Sequence, residues 1–252
     1  MFPPRLSVMS LNLWGEQRWT VREPAVKACL ETLRPDVLCL QELTARTRER
    51  LDVFLPDHER VDGDHPGWTS AGNVYWRSDR LTEVTHGAAD VSLPEPGRRL
   101  FWVRLSLPDD DDRTLVVASA HLTYQLNERE RDTGRSPRVE QTKRIVAELD
   151  DVAGETEPVL FAGDLNDPIH PYRVLSESGY SDCFSDLGHP VRATFPARAT
   201  RSDLDTVVEV PYDWIFGNDA ARSMAATVTE FYHDDVAPSD HWPVIATYEL
   251  SV

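Results

Sequence analysis

The sequence predicts an α/β fold in which strands outnumber helices, arranged as two mixed sheets packed face to face with helices outside. Three observations carry this expectation. A strand, a helix and a second strand succeed one another within residues 6–43. Near-continuous apolar strands, which need cover on both faces, recur along the chain. Several β-forming runs lie close enough together to be hairpins.

Taken in order, "LSVMSLNLW" (residues 6–14) is short and rich in β-formers. "VREPAVKACLETLRPD" then sets Ala25, Val26, Cys29, Leu30 and Leu33 at helical spacing until Arg34 and Pro35 stop it. "DVLCLQEL" is a buried strand. "GNVYWRSDRLTEVT" is again β-rich, and "RRLFWVRLSLPDDDDRTLVVASAHL" is two β-forming runs around Pro108 and four aspartates. That pattern predicts a hairpin whose charged tip is solvated and holds no ligand. "SPRVEQTKRIVAELDDVAG" offers Ser136 as N-cap and Pro137 at the first helical position. Val139, Ile145, Val146 and Leu149 share one face of that helix, and Gly154 follows as its terminator. "PVLFAGDLND" reads as a buried strand, "HPYRVLSESG" as a short helix, "YDWIFGN" as a strand and "HWPVIATYEL" as the closing strand. No linker, composition break or repeat interrupts this order, so residues 1–252 are expected to form one domain.

With 40% hydrophobic and 9% aromatic residues the chain can bury a sizeable core. A mean hydropathy of −0.43 and the lack of a long apolar run predict no membrane insertion. The first residues carry no basic stretch leading into an apolar one, so no secretory signal is expected. Cys29, Cys39 and Cys183 are odd in number and lack metal spacing, which fits reduced thiols in a cytoplasmic protein, expected to be a monomer. A net charge of −17 makes the molecule as a whole repel polyanions, which argues against tracking along nucleic acid. A phosphate substrate stays open, because a divalent cation held among acidic residues reverses the local sign.

The informative residues are polar ones at the ends of buried strands. Asn12, Glu42, His121, Asp164 with Asn166, Asp213, and Asp240 with His241 each end or adjoin such a strand. Repetition at strand ends predicts one rim where loops converge into a site. The last pair shows the principle: Asp240 and His241 stand at the rim while Trp242, Pro243, Val244 and Ile245 enter the sheet behind them. Carboxylates and amide oxygens together suit a hard cation such as Mg²⁺, with Mn²⁺ as a substitute. Zinc fits less well, since there is no HExxH, His-x-His or paired cysteine. A Mg²⁺ ion with imidazoles and an amide beside it is equipped for phosphoester hydrolysis.

The succession "SLNLW", "LCLQEL", "SAHL", "FAGDLND", "YDWIF" and "SDHWPV" resembles the endonuclease/exonuclease/phosphatase superfamily, from Asn12 to Val244. "SPRVEQ" is similar to the Arg-x-x-Gln helix of many members. The resemblance implies a four-layered α/β sandwich with two central mixed sheets. It implies Glu42 as principal Mg²⁺ ligand, with Asn12 beside it and Asp240 helping. It further implies that Asp164 orients or deprotonates water and that Asn166 binds the phosphoryl oxygen in the transition state. His241 becomes the essential histidine, with Asp213 holding its tautomer, and His121 a phosphate contact or proton donor. Arg138 and Trp242 are implied as substrate contacts. The general base stays open between a carboxylate and an imidazole.

One departure stands out. Deoxyribonuclease-like members pair the second histidine with an acid on a neighbouring strand, yet "HPGWTSAGNVYWR" (residues 65–77) holds no carboxylate. Arg129, Arg131, Arg135, Arg192, Arg198 and Arg201, in the loops, are available either as phosphate clamps or as solvated charges. The expected activity is a phosphodiesterase acting on a nucleotide or nucleic-acid end. The alternatives are a lipid or sugar phosphate hydrolase and, from another class, a catalytically silent scaffold.

Overall fold

The computed structural model describes residues 3–107, 110–197 and 208–251. β1 (Arg5–Asn12), α1 (Trp19–Leu33) and β2 (Val37–Gln41) form the expected strand–helix–strand start, with β1 and β2 parallel. Arg34 closes α1 in the left-handed region (φ 41°), its N–H donating to Leu30 O, and Pro35 prevents continuation. α2 (Ala45–Phe54), β3 (His58–Arg60), α3 (Gly67–Ser70) and β4 (Gly72–Arg77) follow. α2 escapes the apolar pattern because it is rich in arginine and acid; Thr44 and Thr47 start it with a reciprocal capping box.

β5 (Thr82–Ala89), β6 (Leu100–Leu107) and β7 (Asp110–His121) make an antiparallel meander. The hairpin is therefore present, while Pro108 and Asp109 of its tip lie outside the described residues. After α4 (Glu128–Thr133) comes α5 (Pro137–Val152). Ser136 occupies the N-cap position without a side-chain bond, so Pro137 does the starting. The helix ends through an extended Ala153 (φ −80°, ψ 144°), so Gly154 is not the left-handed terminator that the sequence suggests. β8 (Val159–Asp164), α6 (His170–Glu177), β9 (Ser181–Asp182), α7 (Cys183–Asp186), β10 (Asp213–Gly217), β11 (Ala221–Val228) and β12 (Val244–Leu250) complete the order.

The strands form two six-stranded mixed sheets, β11-β12-β1-β2-β4-β3 and β5-β6-β7-β8-β10-β9. Their strands alternate between two cores, as the period-2 pleat requires. Leu6 and Val8 of β1 join Val103, Val117, Leu160 and Ile215 in a cluster between the sheets. Met9 and Leu11, the other face of β1, pack with Val26, Cys29 and Leu30 of α1. Val116 and Ala118 of β7 pack outward with Ile145 and Leu149 of α5. The result is helix, sheet, sheet, helix, each fully buried aliphatic side chain being worth about 1.5–3 kcal/mol. Burial pushes the Cys29 and Cys39 thiols up to about 12, so both behave as inert core residues. Among the described residues no helix is long and apolar enough to cross a membrane.

Candidate active site

Strand register assembles the site. β7 and β8 run parallel with His121 opposite Asp164, and β8 and β10 run antiparallel with Asp164 opposite Asp213. Three chemically active side chains thus stand in one row across neighbouring strands of one sheet. In the facing sheet, Asn12 ends β1 opposite Gln41, and Glu42 is the next residue of that chain. Asn12 bridges the sheets: its Nδ2 donates to Asp164 Oδ2 at 2.9 Å and to Glu42 Oε1 at 3.3 Å. Its Oδ1 accepts from Trp14 N at 2.9 Å, which uses one of its two lone pairs, while its amide hydrogens brace the two carboxylates. Glu42 adopts a left-handed backbone (φ 53°), a conformation that costs a non-glycine residue about 1–3 kcal/mol and that gathers at functional sites.

His241 arrives on the loop before β12. Its Nδ1 lies 2.7 Å from Asp213 Oδ2, and its Nε2 lies 3.9 Å from Asp164 Oδ2. Burial opposes its charge, but Asp213 and Asp164 outweigh burial and raise it to about 10. The imidazole is therefore a cation, with Nδ1–H donating to Asp213.

His121 has the opposite character. Burial, together with the charges of Arg98 and His241, pushes it well below the usual histidine value, so it is neutral. Asn166 Nδ2 donates to His121 Nε2 at 2.9 Å and to Leu122 O at 3.0 Å, which places the ring proton on Nδ1. That Nδ1 is buried without a hydrogen-bond partner, 3.9 Å from Glu42 Oε1. The missing orienting acid noted in residues 65–77 is thus reflected in the structure. Asn166, expected to bind a phosphoryl oxygen, already spends both amide hydrogens in holding His121 and the chain.

Asp164 accepts from Asn12 and, through Oδ1, from Asn166 N at 2.9 Å. Burial raises it to about 7, Asp213 adding to the rise while His241 opposes it. Asp213 Oδ1 is likewise buried without a partner. Asp164, Asp213 and His241 offer ligand atoms within 4.8 Å of one another, but the short Asp213–His241 contact makes that pair a hydrogen-bonded dyad. Asp213 Oδ1, buried and unsatisfied beside Asp164, and Glu42, linked to Asp164 through Asn12, make an oxygen-rich set that fits a hard divalent cation. Asp240 is buried beside this group, its charge acting on both Arg22 and His241.

Arg138 lies inside the protein. It is only 1% exposed, and its guanidinium donates to Asp167 Oδ2 (3.2 Å), Thr123 O (2.9 Å) and Glu130 Oε1 (2.6 Å). It ties the loop after β7, helix α4 and the loop after β8 together, and is enclosed by protein where substrate contact was expected. Trp242 is 7% exposed, meets Tyr232 edge-on and borders a cavity of about 230 Å³ with Arg192 and Glu230. Arg192 is paired with Glu230 at 2.7 Å, while Arg198 and Arg201 lie outside the described residues.

The family profile for the endonuclease/exonuclease/phosphatase family matches residues 9–241. The chain belongs to that family. As a family member it is a phosphoester hydrolase. No curated protein matches at a significant level. Solved structures share the fold. TDP2 of D. rerio with a single-strand DNA product is 20% identical with a TM-score of 0.78, covering 97% of this chain and 98% of that one. An endonuclease/exonuclease/phosphatase family protein of Bacteroides thetaiotaomicron is 18% identical with a TM-score of 0.81, covering 100% of both. A mannosyl-6-phosphatase of the same organism is 18% identical with a TM-score of 0.79, covering 96% and 98%.

Sequence reasoning missed three residues of this hydrolase's site. Phe195 tilts onto His241 (ring centroids 4.9 Å apart) and stacks on Tyr212 (5.6 Å, 29°). Both aromatic residues are half-buried and come from the segment before β10. Arg98, in the β5–β6 loop, puts a cation near His121. No local pattern marks these residues, because their neighbours in space come from other strands.

Proposed function

We propose that the protein is a Mg²⁺-dependent phosphodiesterase, monomeric, that acts on a nucleotide or a nucleic-acid end, with Mn²⁺ as a working substitute. The observation that supports this best is the His241–Asp213 pair set beside Asp164, which Asn12 links to Glu42. Glu42 would be the principal cation holder, with Asn12 and Asp240 assigned beside it. A bound cation supplies Lewis-acid polarisation of the phosphoryl group. The rest falls to side chains. Asp164, with its value raised toward neutrality by burial, takes the proton of the attacking water as the water oxygen bonds to phosphorus. His241 donates Nε2–H to the phosphoryl oxygen that gains charge, while Asp213 holds Nδ1–H. His121 offers Nδ1–H to the same phosphate. The ester P–O bond breaks, and solvent protonates the leaving oxygen.

The Phe195–Tyr212 stack next to His241 favours a substrate with a flat ring near the phosphate. The net charge of −17 favours short substrates, because long duplex DNA gains little counterion release on an acidic protein. A second reading, a sugar or lipid phosphate hydrolase, is favoured by the equal likeness to the mannosyl-6-phosphatase. The test is a panel with Mg²⁺, with and without chelator: a bis-ester, a monoester, mannose 6-phosphate, single- and double-stranded DNA, RNA and sphingomyelin. Chelator-sensitive cleavage of the bis-ester and of oligonucleotide ends is expected. Preference for mannose 6-phosphate or sphingomyelin selects the second reading, and full turnover after exhaustive chelation removes the cation from the first.

A further inference from the structure

Arg22, on α1, is wholly buried. Taking a guanidinium out of water costs several kcal/mol even after relaxation, so its donors need partners. They find them on two loops that are distant in sequence. Nε donates to Gln17 O at 2.7 Å, and Nη2 to Gly15 O at 3.2 Å and Trp14 O at 3.4 Å. Nη1 donates to Pro238 O at 2.6 Å. The guanidinium carbon lies 5.1 Å from the centroid of the Trp14 ring and 5.7 Å from that of Trp19, which adds cation–π contacts.

Both loops lead into the active site. The first leaves Asn12, whose Oδ1 accepts from Trp14 N, and a β-carbon added to its Gly15 would stand 3.9 Å from Glu42 Oε2. The second enters Ser239, Asp240 and His241, with His241 N donating to Ser239 Oγ at 3.2 Å. We infer that Arg22 is a positioning residue: its planar fork clamps the β1–α1 loop to the segment entering Asp240 and His241, and so holds Glu42 and His241 in mutual register. This rests on the hydrolase reading proposed above.

Geometry and charge act in opposite directions, which makes the inference testable. The charge of Arg22 acts on Glu42 and Asp240, so its loss alone would tighten the binding of a divalent cation. Loss of the fork alone would loosen it. Arg22→Lys keeps the charge, yet a single ammonium cannot replace a fork that reaches Gln17 on one side and Pro238 on the other. Arg22→Lys and Arg22→Met in the full chain would be compared with wild type by near-ultraviolet circular dichroism and by melting. Mn²⁺ would then be titrated calorimetrically without substrate, and kcat and KM measured on a bis-ester.

A folded Arg22→Lys is expected to bind Mn²⁺ about 10-fold more weakly and to lose about 10-fold or more in kcat, with KM little changed, as for residues that orient metal ligands. Wild-type Mn²⁺ affinity and kcat in the folded lysine variant would overturn the inference, as would failure of both variants to fold, which makes Arg22 merely structural. If wild type hydrolyses nothing in the panel, the functional reading fails while the Mn²⁺ titration still decides the role of Arg22. Wild type that neither hydrolyses nor binds Mn²⁺ overturns both.

Discussion

His241 and Asp213 form a buried ion pair, Nδ1 to Oδ2 at 2.7 Å, although they lie 28 residues apart, His241 on the loop before β12 and Asp213 at the start of β10. The carboxylate orients the ring through Nδ1–H and stabilises the imidazolium, whose value is raised to about 10 against the pull of burial. Asp213→Asn is expected to fold and to lose roughly 10²–10⁴ in kcat, the usual weight of a proton-handling group. A wild-type rate in the folded variant would remove Asp213 from the site. The pair also sets a stability profile. Histidine binds its proton more tightly in the folded protein than in the unfolded chain, at about 6.5. Its stabilisation is therefore complete below that pH and lost as pH rises to about 10, so the melting gap between wild type and Asp213→Asn narrows over that range.

Asp164 carries the reverse lesson for a carboxylate. Burial raises it to about 7, whereas in the unfolded chain it ionises near its ordinary value of about 3.9. The native state thus binds the extra proton between these values, and cation-free protein loses stability as pH rises from about 4 to about 7. Relative to wild type, Asp164→Asn should gain melting temperature across that window and lose hydrolysis. A melting difference that stays flat with pH would show that Asp164 is not held in this environment.

His121 is neutral, held through Nε2 by Asn166, and without an acid on its Nδ1. It is suited to contact a phosphate and poorly supplied with a transferable proton. His121→Ala should lower turnover less than His241→Ala does on a substrate with a poor leaving group. Equal damage there, with little effect on a nitrophenyl ester, would identify His121 as the general acid.

Arg138 should now register in stability. Without Arg138, Asp167 keeps the N–H groups of Ile169 and His170 and the His170 ring, but Thr123 O and Glu130 lose their buried donor, a loss worth about 1–3 kcal/mol. Arg138→Ala is expected to lower the free energy of unfolding, read by denaturant titration, by that amount. Unchanged stability with a raised KM would restore it as a substrate contact.

The period-2 and period-3.6 patterns were legible at once. Continuous apolar runs such as "VLCLQ" need cover on both faces, and β2 is buried throughout. The candidate polar residues were legible because polar groups that end apolar strands are costly to bury, and Asn12, Glu42, His121, Asp164, Asp213 and His241 do come together. What escaped was whatever depends on a neighbour from elsewhere in the chain. α2 hid because its stability comes from caps and packing instead of an apolar stripe. Arg138 was expected to meet substrate and nothing in the sequence marked Arg22; only the loops folded over them make each a buried clamp.

The sequence by itself thus determined the α/β layering and the identity of the groups that converge, since both follow from periodicity and from where polarity interrupts it. Tertiary structure alone decided their charge states and partners. His121 and His241 are the same residue type at similar strand ends, yet one is neutral and the other a cation. The difference is that Asp213, carried on another strand, reaches only His241, while burial acts on both.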